Sequence, residues 1–158
     1  MTSGLWTSED ARDATGGKLF NSWIAGGVSI DSRTLGFGDL FVAIAGPNFN
    51  GHDFIPAAIA GGCSAVLAAK KPESGIPGLV VKDTIRGLSD LAVFARSRSV
   101  ARVIAVTGSA GKTGTKEALK LLLSESGTTH VSCKINYCFY KNQSFPESFW
   151  ILLKFKDN

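Results

Sequence analysis

Four consecutive apolar residues, Val103–Ile104–Ala105–Val106, run directly into Thr107–Gly108–Ser109–Ala110–Gly111–Lys112–Thr113 and then into a leucine-bearing segment of helical period. An unbroken apolar run of this kind suits a strand buried on both faces of a parallel sheet. The glycines let the backbone approach a ligand closely, and the helix that follows offers unbonded N–H groups at the positive end of its dipole. Strand, Gly-rich turn and helix in that order begin an α/β unit with a seat for phosphate oxygens. The nucleotide-binding residues are therefore expected at Thr107, Gly108, Ser109, Ala110, Gly111, Lys112 and Thr113. Lys112 would bring its charge to the β- and γ-phosphates of ATP as the catalytic residue, and the Thr113 hydroxyl would ligate Mg²⁺. Only two residues separate Gly108 from Gly111, a shorter spacing than in the usual phosphate loop, which argues against an ordinary kinase or GTPase.

Upstream, short apolar runs alternate with turn residues, the pattern of interleaved strands and helices. Val28 to Ile30, Leu40 to Ala45, Ala65 to Ala68 and Leu79 to Val81 read as strands. Asp53 to Gly61 reads as a helix with Phe54, Ile55, Ala58 and Ile59 on one face, stopped by Gly61–Gly62. Thr84 to Arg98 carries Ile85, Leu88, Leu91, Ala92 and Ala95 at helical spacing, with Arg96 and Arg98 in the last turn. Behind the loop, Ala118, Leu121 and Leu122 share a helical face, and Thr128 to Cys133 begins another strand. The fold class is α/β: a small N-terminal domain over residues 1–98, then the start of a phosphate-loop domain over 99–133.

Residues 134–158 are of another kind. All 18 glycines lie before Lys134, and the segment after it also lacks Ala and Val while holding seven of the chain's aromatics. It offers neither turn residues nor a sustained period, so no regular element is expected there. A change of reading frame near Ser132 would account for so abrupt a break; an unusual aromatic hairpin is the alternative reading. One strand, one helix and part of a second strand cannot bury a sheet face, and catalysis by this chain alone is not expected.

The formal net charge of +4 comes from scattered Lys and Arg, with no dense basic run of the nucleic-acid-binding type. Glu9, Asp10 and Asp13 are incompatible with a secretory leader, and no apolar run is long enough to span a membrane. A cytosolic, monomeric protein without nucleic-acid or membrane partners is expected. Cys63, Cys133 and Cys138 lack metal-ligand spacing and read as reduced, incidental thiols.

The short Thr–Gly–x–x–Gly–Lys–Thr loop resembles that of the Mur ligase family. So do Asp31–Ser32–Arg33, then Gly38–Asp39–Leu40–Phe41–Val42–Ala43 with Gly46, and Gly51–His52–Asp53–Phe54, which resemble the family's uridine-nucleotide-binding N-terminal domain. Leu5–Trp6–Thr7, Ala14–Thr15–Gly16–Gly17 and Lys116–Glu117 are similar to the branch that adds D-Ala-D-Ala. The resemblance implies that Ser32, Arg33, Gly46 and His52 line or support a site for UDP-MurNAc-peptide. It further implies that a substrate carboxylate is activated by ATP as an acyl phosphate, which the amine of D-Ala-D-Ala then attacks. From the residues alone, Ser32 could instead cap a turn, Arg33 serve a structural ion pair and His52 start a helix. Gly114 stands where the family usually has Thr. The family's Asn-rich substrate loop, acidic Mg²⁺ ligand, modified lysine and closing C-terminal domain have no counterpart here. A binding module without catalysis, a sister ligase for another amino acid and an unrelated phosphotransferase are the alternatives.

Overall fold

The computed structural model describes residues 4–46, 50–100, 103–106, 110–125, 127–131 and 152–156. The chain divides into two compact units, Met1–Arg96 and Ser97–Asn158.

The first unit is built on a five-stranded sheet. Its elements in chain order are β1 (Trp6–Thr7), α1 (Ser8–Thr15), β2 (Lys18–Phe20), β3 (Ile24–Ala25), β4 (Val28–Ser29), β5 (Leu40–Val42), α2 (Ile55–Ala60), β6 (Ala65–Ala68), β7 (Gly78–Val80) and α3 (Thr84–Ser97). The sheet order is β2-β7-β6-β5-β4, with β4 to β7 mutually parallel and β2 antiparallel at one edge. Strands β1 and β3 form a separate antiparallel pair.

Period-two alternation explains the two cores. Leu40, Val42, Leu67, Leu79 and Val81 face one side, where Trp6, Ala11, Trp23 and Leu91 cover them. Phe41, Ala43, Val66 and Ala68 face the other, against Ile55 and Ala58 of α2. Both sheet faces are thus covered, which is why these strands read as continuous apolar runs rather than alternating ones. Trp6 also meets Phe94 of α3, with ring centroids 5.8 Å apart.

Helix ends follow local chemistry. The Thr7 hydroxyl accepts from Asp10 N at 3.2 Å, and Gly16 closes α1 in the left-handed region at φ 64°. These are ordinary start and stop signals; the N-terminal elements were absent from the sequence reading, although Thr7, Asp10 and Gly16 announce them. Asp83 caps α3 by accepting from Ile85 N and Arg86 N at 2.9 and 3.1 Å.

Three expectations are corrected here. The helix expected over Asp53–Gly61 opens as a 3-10 turn, Gly51–Phe54, before α2, and Phe54 is exposed. The Asn50 side chain accepts from His52 N, and so starts the turn earlier than the apolar period does. In α4 (Lys112–Ser124) the packed residues are Leu119 and Leu123, against Val131 and Ile104, whereas Ala118, Leu121 and Leu122 share a face that is exposed. The third concerns 134–158, where β10 (Leu152–Lys156) stands between β8 (Val103–Ala105) and β9 (Thr128–Val131), antiparallel to both. A short alternation of Leu153 and Phe155 with Lys154 and Lys156 is the strand signal that the compositional argument passed over. Residues 134–151, with Cys133 and Cys138, lie outside the described residues.

Gly114 sits inside α4 with open space where a Cβ would be. Gly114→Ala is therefore expected to stabilise α4 by up to about 1 kcal/mol, since alanine carries less backbone entropy into the helix. Slower amide exchange through α4, without change in the first unit, is the check.

Candidate functional site

Strands β4 to β7 run in one direction, so the segments that follow them emerge on one sheet edge, the side on which open α/β sheets take ligands. Ser32 and Arg33 follow β4, and Gly46 follows β5. Ser32 and Gly46 are half-buried. Arg33 folds back on its own turn: its Nε donates to Asp31 Oδ1 at 2.9 Å, its Nη2 to Oδ2 at 2.7 Å and its backbone N to Oδ1 at 3.0 Å. The Asp31 carboxylate pushes the guanidinium pKa further up. With a side chain 85% exposed, the pair adds little stability. Its effect is to fix the orientation of the remaining guanidinium N–H groups.

His52 is held more tightly. Its Nε2 accepts from the backbone N–H of Ala69 at 3.2 Å and of Lys70 at 3.4 Å, and its Nδ1 lies 3.0 Å from Asn50 Oδ1. An Nε2 that accepts puts the proton on Nδ1, which then donates to Asn50. The imidazole thereby clamps the turn after β5 to the segment after β6, a role that sequence alone could not give because its partners are 17 and 18 residues away. His52→Ala is expected to cost about 1 to 2 kcal/mol, because two backbone donors lose their acceptor. Faster exchange of the Ala69 and Lys70 amides would register it.

Gly51 makes this clamp possible. A Cβ there would lie 2.3 Å from Ile44 O and 2.5 Å from Ile44 N, and its own N–H donates to Ile44 O at 2.8 Å. Further along the same edge an open groove of about 530 Å³ is lined by Gly16, Lys18, Ala69, Lys82, Asp83 and Arg86. Its cations escaped the sequence reading because they come from a strand, a loop and a helix that are separate in the chain.

In the second unit, Thr107, Gly108 and Ser109 lie outside the described residues, as does the Lys112 side chain. Gly111, at φ 76°, is the N-cap of α4; among the described residues no side chain caps the helix, and its first turn holds no acidic residue. Thr113 is exposed. An uncapped, acid-free helix start leaves donors for phosphate oxygens and no repelling carboxylate, which suits a nucleotide. Among the described residues no group of three or more His, Cys, Asp or Glu could hold a metal ion, and no helix is long and apolar enough to cross a membrane. Cys63 is half-buried, and burial raises its thiol pKa.

Comparison with known proteins bears on both units. Residues 25–95 match the model of the Mur ligase family, catalytic domain, a stretch that ends before the glycine-rich turn at Thr107. The UDP-N-acetylmuramoyl-tripeptide--D-alanyl-D-alanine ligase of Escherichia coli is 44% identical over 102 residues, 65% of this chain and 23% of that protein. The crystal structure of MurF from Acinetobacter baumannii aligns with a TM-score of 0.68 at 35% identity, covering 77% of this chain and 28% of the other. MurF ligase from Thermotoga maritima, solved in complex with ADP, aligns with a TM-score of 0.57 at 34% identity over 69% of this chain and 26% of that one. The chain thus spans about a quarter of the length of the relatives it matches.

Proposed function

Because this chain carries a Mur ligase family domain, we propose that it is the substrate-gathering front of a D-Ala-D-Ala-adding ligase of peptidoglycan precursor synthesis. The reading gives the first unit UDP-MurNAc-tripeptide and the second ATP with Mg²⁺; D-Ala-D-Ala is the second substrate of the whole reaction. One observation carries it: the residues that match the family fold into the parallel sheet whose carboxyl edge bears Ser32, Arg33, Gly46 and the His52 clamp.

In this reading Arg33, oriented by Asp31, meets an anionic part of the UDP-sugar, while Ser32 and Gly46 border the same edge. His52 supports the site through Ala69 and Lys70 instead of touching substrate. In the second unit, the start of α4 and Lys112 hold the polyphosphate by fixed donors and charge. Thr113 supplies a protein oxygen to Mg²⁺, which when bound neutralises phosphate charge.

Separate calorimetric titrations with UDP-MurNAc-tripeptide and with Mg-ATP test the assignment. Binding of both ligands, each to its own unit, supports it. Sugar-nucleotide binding without ATP binding would favour a non-catalytic binding module, and ATP binding without the sugar nucleotide an unrelated phosphotransferase. The reading also gives residues 1–98 and 99–133 to different domains. Limited proteolysis is expected to cut first between Ser97 and Arg102; protection there with cleavage inside Leu40–Ala60 would contradict it.

A further inference from the structure

Histidine is the side chain whose charge ordinarily changes between about pH 5 and 8. The form of His52 is set by its partners. Nε2 accepts from Ala69 N at 3.2 Å and Lys70 N at 3.4 Å, and Nδ1 lies 3.0 Å from Asn50 Oδ1. Only the neutral ring with its proton on Nδ1 satisfies all three contacts. A second proton can go only to Nε2, where the ring turns from acceptor to donor and meets two N–H groups that can only donate. The Asn50 contact survives, because Nδ1 donates in both forms. A charged ring therefore stays with its own turn and lets go of the segment after β6.

Little around the ring favours that charge. The segments that meet there, 43–46, 50–60 and 65–71, hold Asp53, Lys70 and Lys71 as their only charged groups besides His52 itself. The lysines carry the same sign as an imidazolium, and Lys71 Nζ lies over the Phe20 ring at 5.5 Å. Asp53 is exposed on the same turn, where water weakens its pull. Beyond Ala69 the groove adds Lys18, Lys82 and Arg86 against Asp83 and Asp90, and Asp83 is engaged in capping α3.

We infer that His52 is an acid-released latch: the neutral ring ties the turn Gly51–Phe54 to the segment after β6, and a proton taken up on Nε2 frees Ala69 and Lys70. On the reading of this edge as the sugar-nucleotide site, on which this part rests, acid then lowers affinity for UDP-MurNAc-tripeptide by loosening the edge, without His52 touching the ligand.

The test is NMR on the full chain from about pH 8 to about pH 5.5, following the His52 ring and amide exchange together. Protection of the Ala69 and Lys70 amides, corrected for the intrinsic exchange rate at each pH, is expected to fall about tenfold in step with protonation of the ring. The His52 amide, which donates to Asn50 Oδ1, and the Leu91 amide in α3 should keep theirs. His52→Gln offers an acceptor that does not titrate, and its Ala69 and Lys70 protection should stay level over the same range. Calorimetry with UDP-MurNAc-tripeptide at the two ends of the range should show affinity about three- to tenfold weaker in acid for the parent, and a ratio near one for His52→Gln. Constant protection of Ala69 and Lys70 while the ring titrates overturns the inference from the parent chain alone, whether or not His52→Gln folds. An equal fall in His52→Gln does the same, since another group would then carry the effect. Protection that falls while affinity holds overturns the link to binding. A parent chain that loses protection in acid but binds no sugar nucleotide at either pH brings down the substrate reading and leaves the latch standing.

Discussion

Gly51→Ala is expected to lower the stability of the first unit by about 3 kcal/mol or more, through overpacking against a neighbour that cannot move aside. The methyl group would sit 2.3 Å from Ile44 O, 2.5 Å from Ile44 N and 2.6 Å from Ala43 C, all backbone atoms at the carboxyl end of β5. Relief requires the 3-10 turn Gly51–Phe54 to lift away from β5, which breaks the Gly51 N to Ile44 O bond and withdraws His52 from Ala69 and Lys70. For a unit of this size, a melting temperature lower by some 12 to 24 °C is the corresponding shift. Binding of UDP-MurNAc-tripeptide should fall with it even below the melting transition, because the edge that bears Gly46 is displaced. A variant that melts with the parent would mean that the turn is soft and that the contact does not organise the site.

Lys112→Ala is expected to weaken Mg-ATP binding at least tenfold, since a charge-assisted contact contributes roughly 1.5 to 3 kcal/mol. Binding of UDP-MurNAc-tripeptide should be untouched. The two substitutions therefore form a reciprocal pair: Gly51→Ala strikes the sugar nucleotide and Lys112→Ala the adenine nucleotide. Equal loss of both ligands in either variant would refute separate sites.

How much of this was legible in the sequence depends on the range of the interactions involved. Strands β5 and β6 were readable because burial on both faces leaves an unbroken apolar run, and α3 because Leu88, Leu91 and Ala95 repeat at helical spacing. The buried face of α4 was not legible, because Ala118, Leu121 and Leu122, which do share a face, satisfy a helical period as well as Leu119 and Leu123 do; only packing on Val131 chooses between them. The clamp by His52 depends on backbone donors beyond a second strand, and backbone donors leave no trace in composition. Asp31 and Arg33 were adjacent enough to suggest a pair, yet their two-point contact is a matter of turn geometry. The glycine-rich turn Thr107 to Thr113 is the densest local signal in the sequence, because a phosphate seat would demand its glycines, Lys112 and Thr113 together; Thr107, Gly108, Ser109 and the Lys112 side chain lie outside the described residues.

The place of β2 at the sheet's edge bears on synthesis at the ribosome. Lys18 to Phe20 pair with Gly78 to Val80, so this early segment waits until about sixty further residues have emerged before it finds its neighbour, a separation that makes closure of the edge a late event. Until then β6 has no cover on one side, and Ala65 to Ala68, all buried in the finished sheet, stand as an apolar rim open to other nascent chains. Any release of the polypeptide before Val80 would leave that rim permanently open and prone to aggregate. A chain that has passed Val80 and formed α3 carries its own means of closing it.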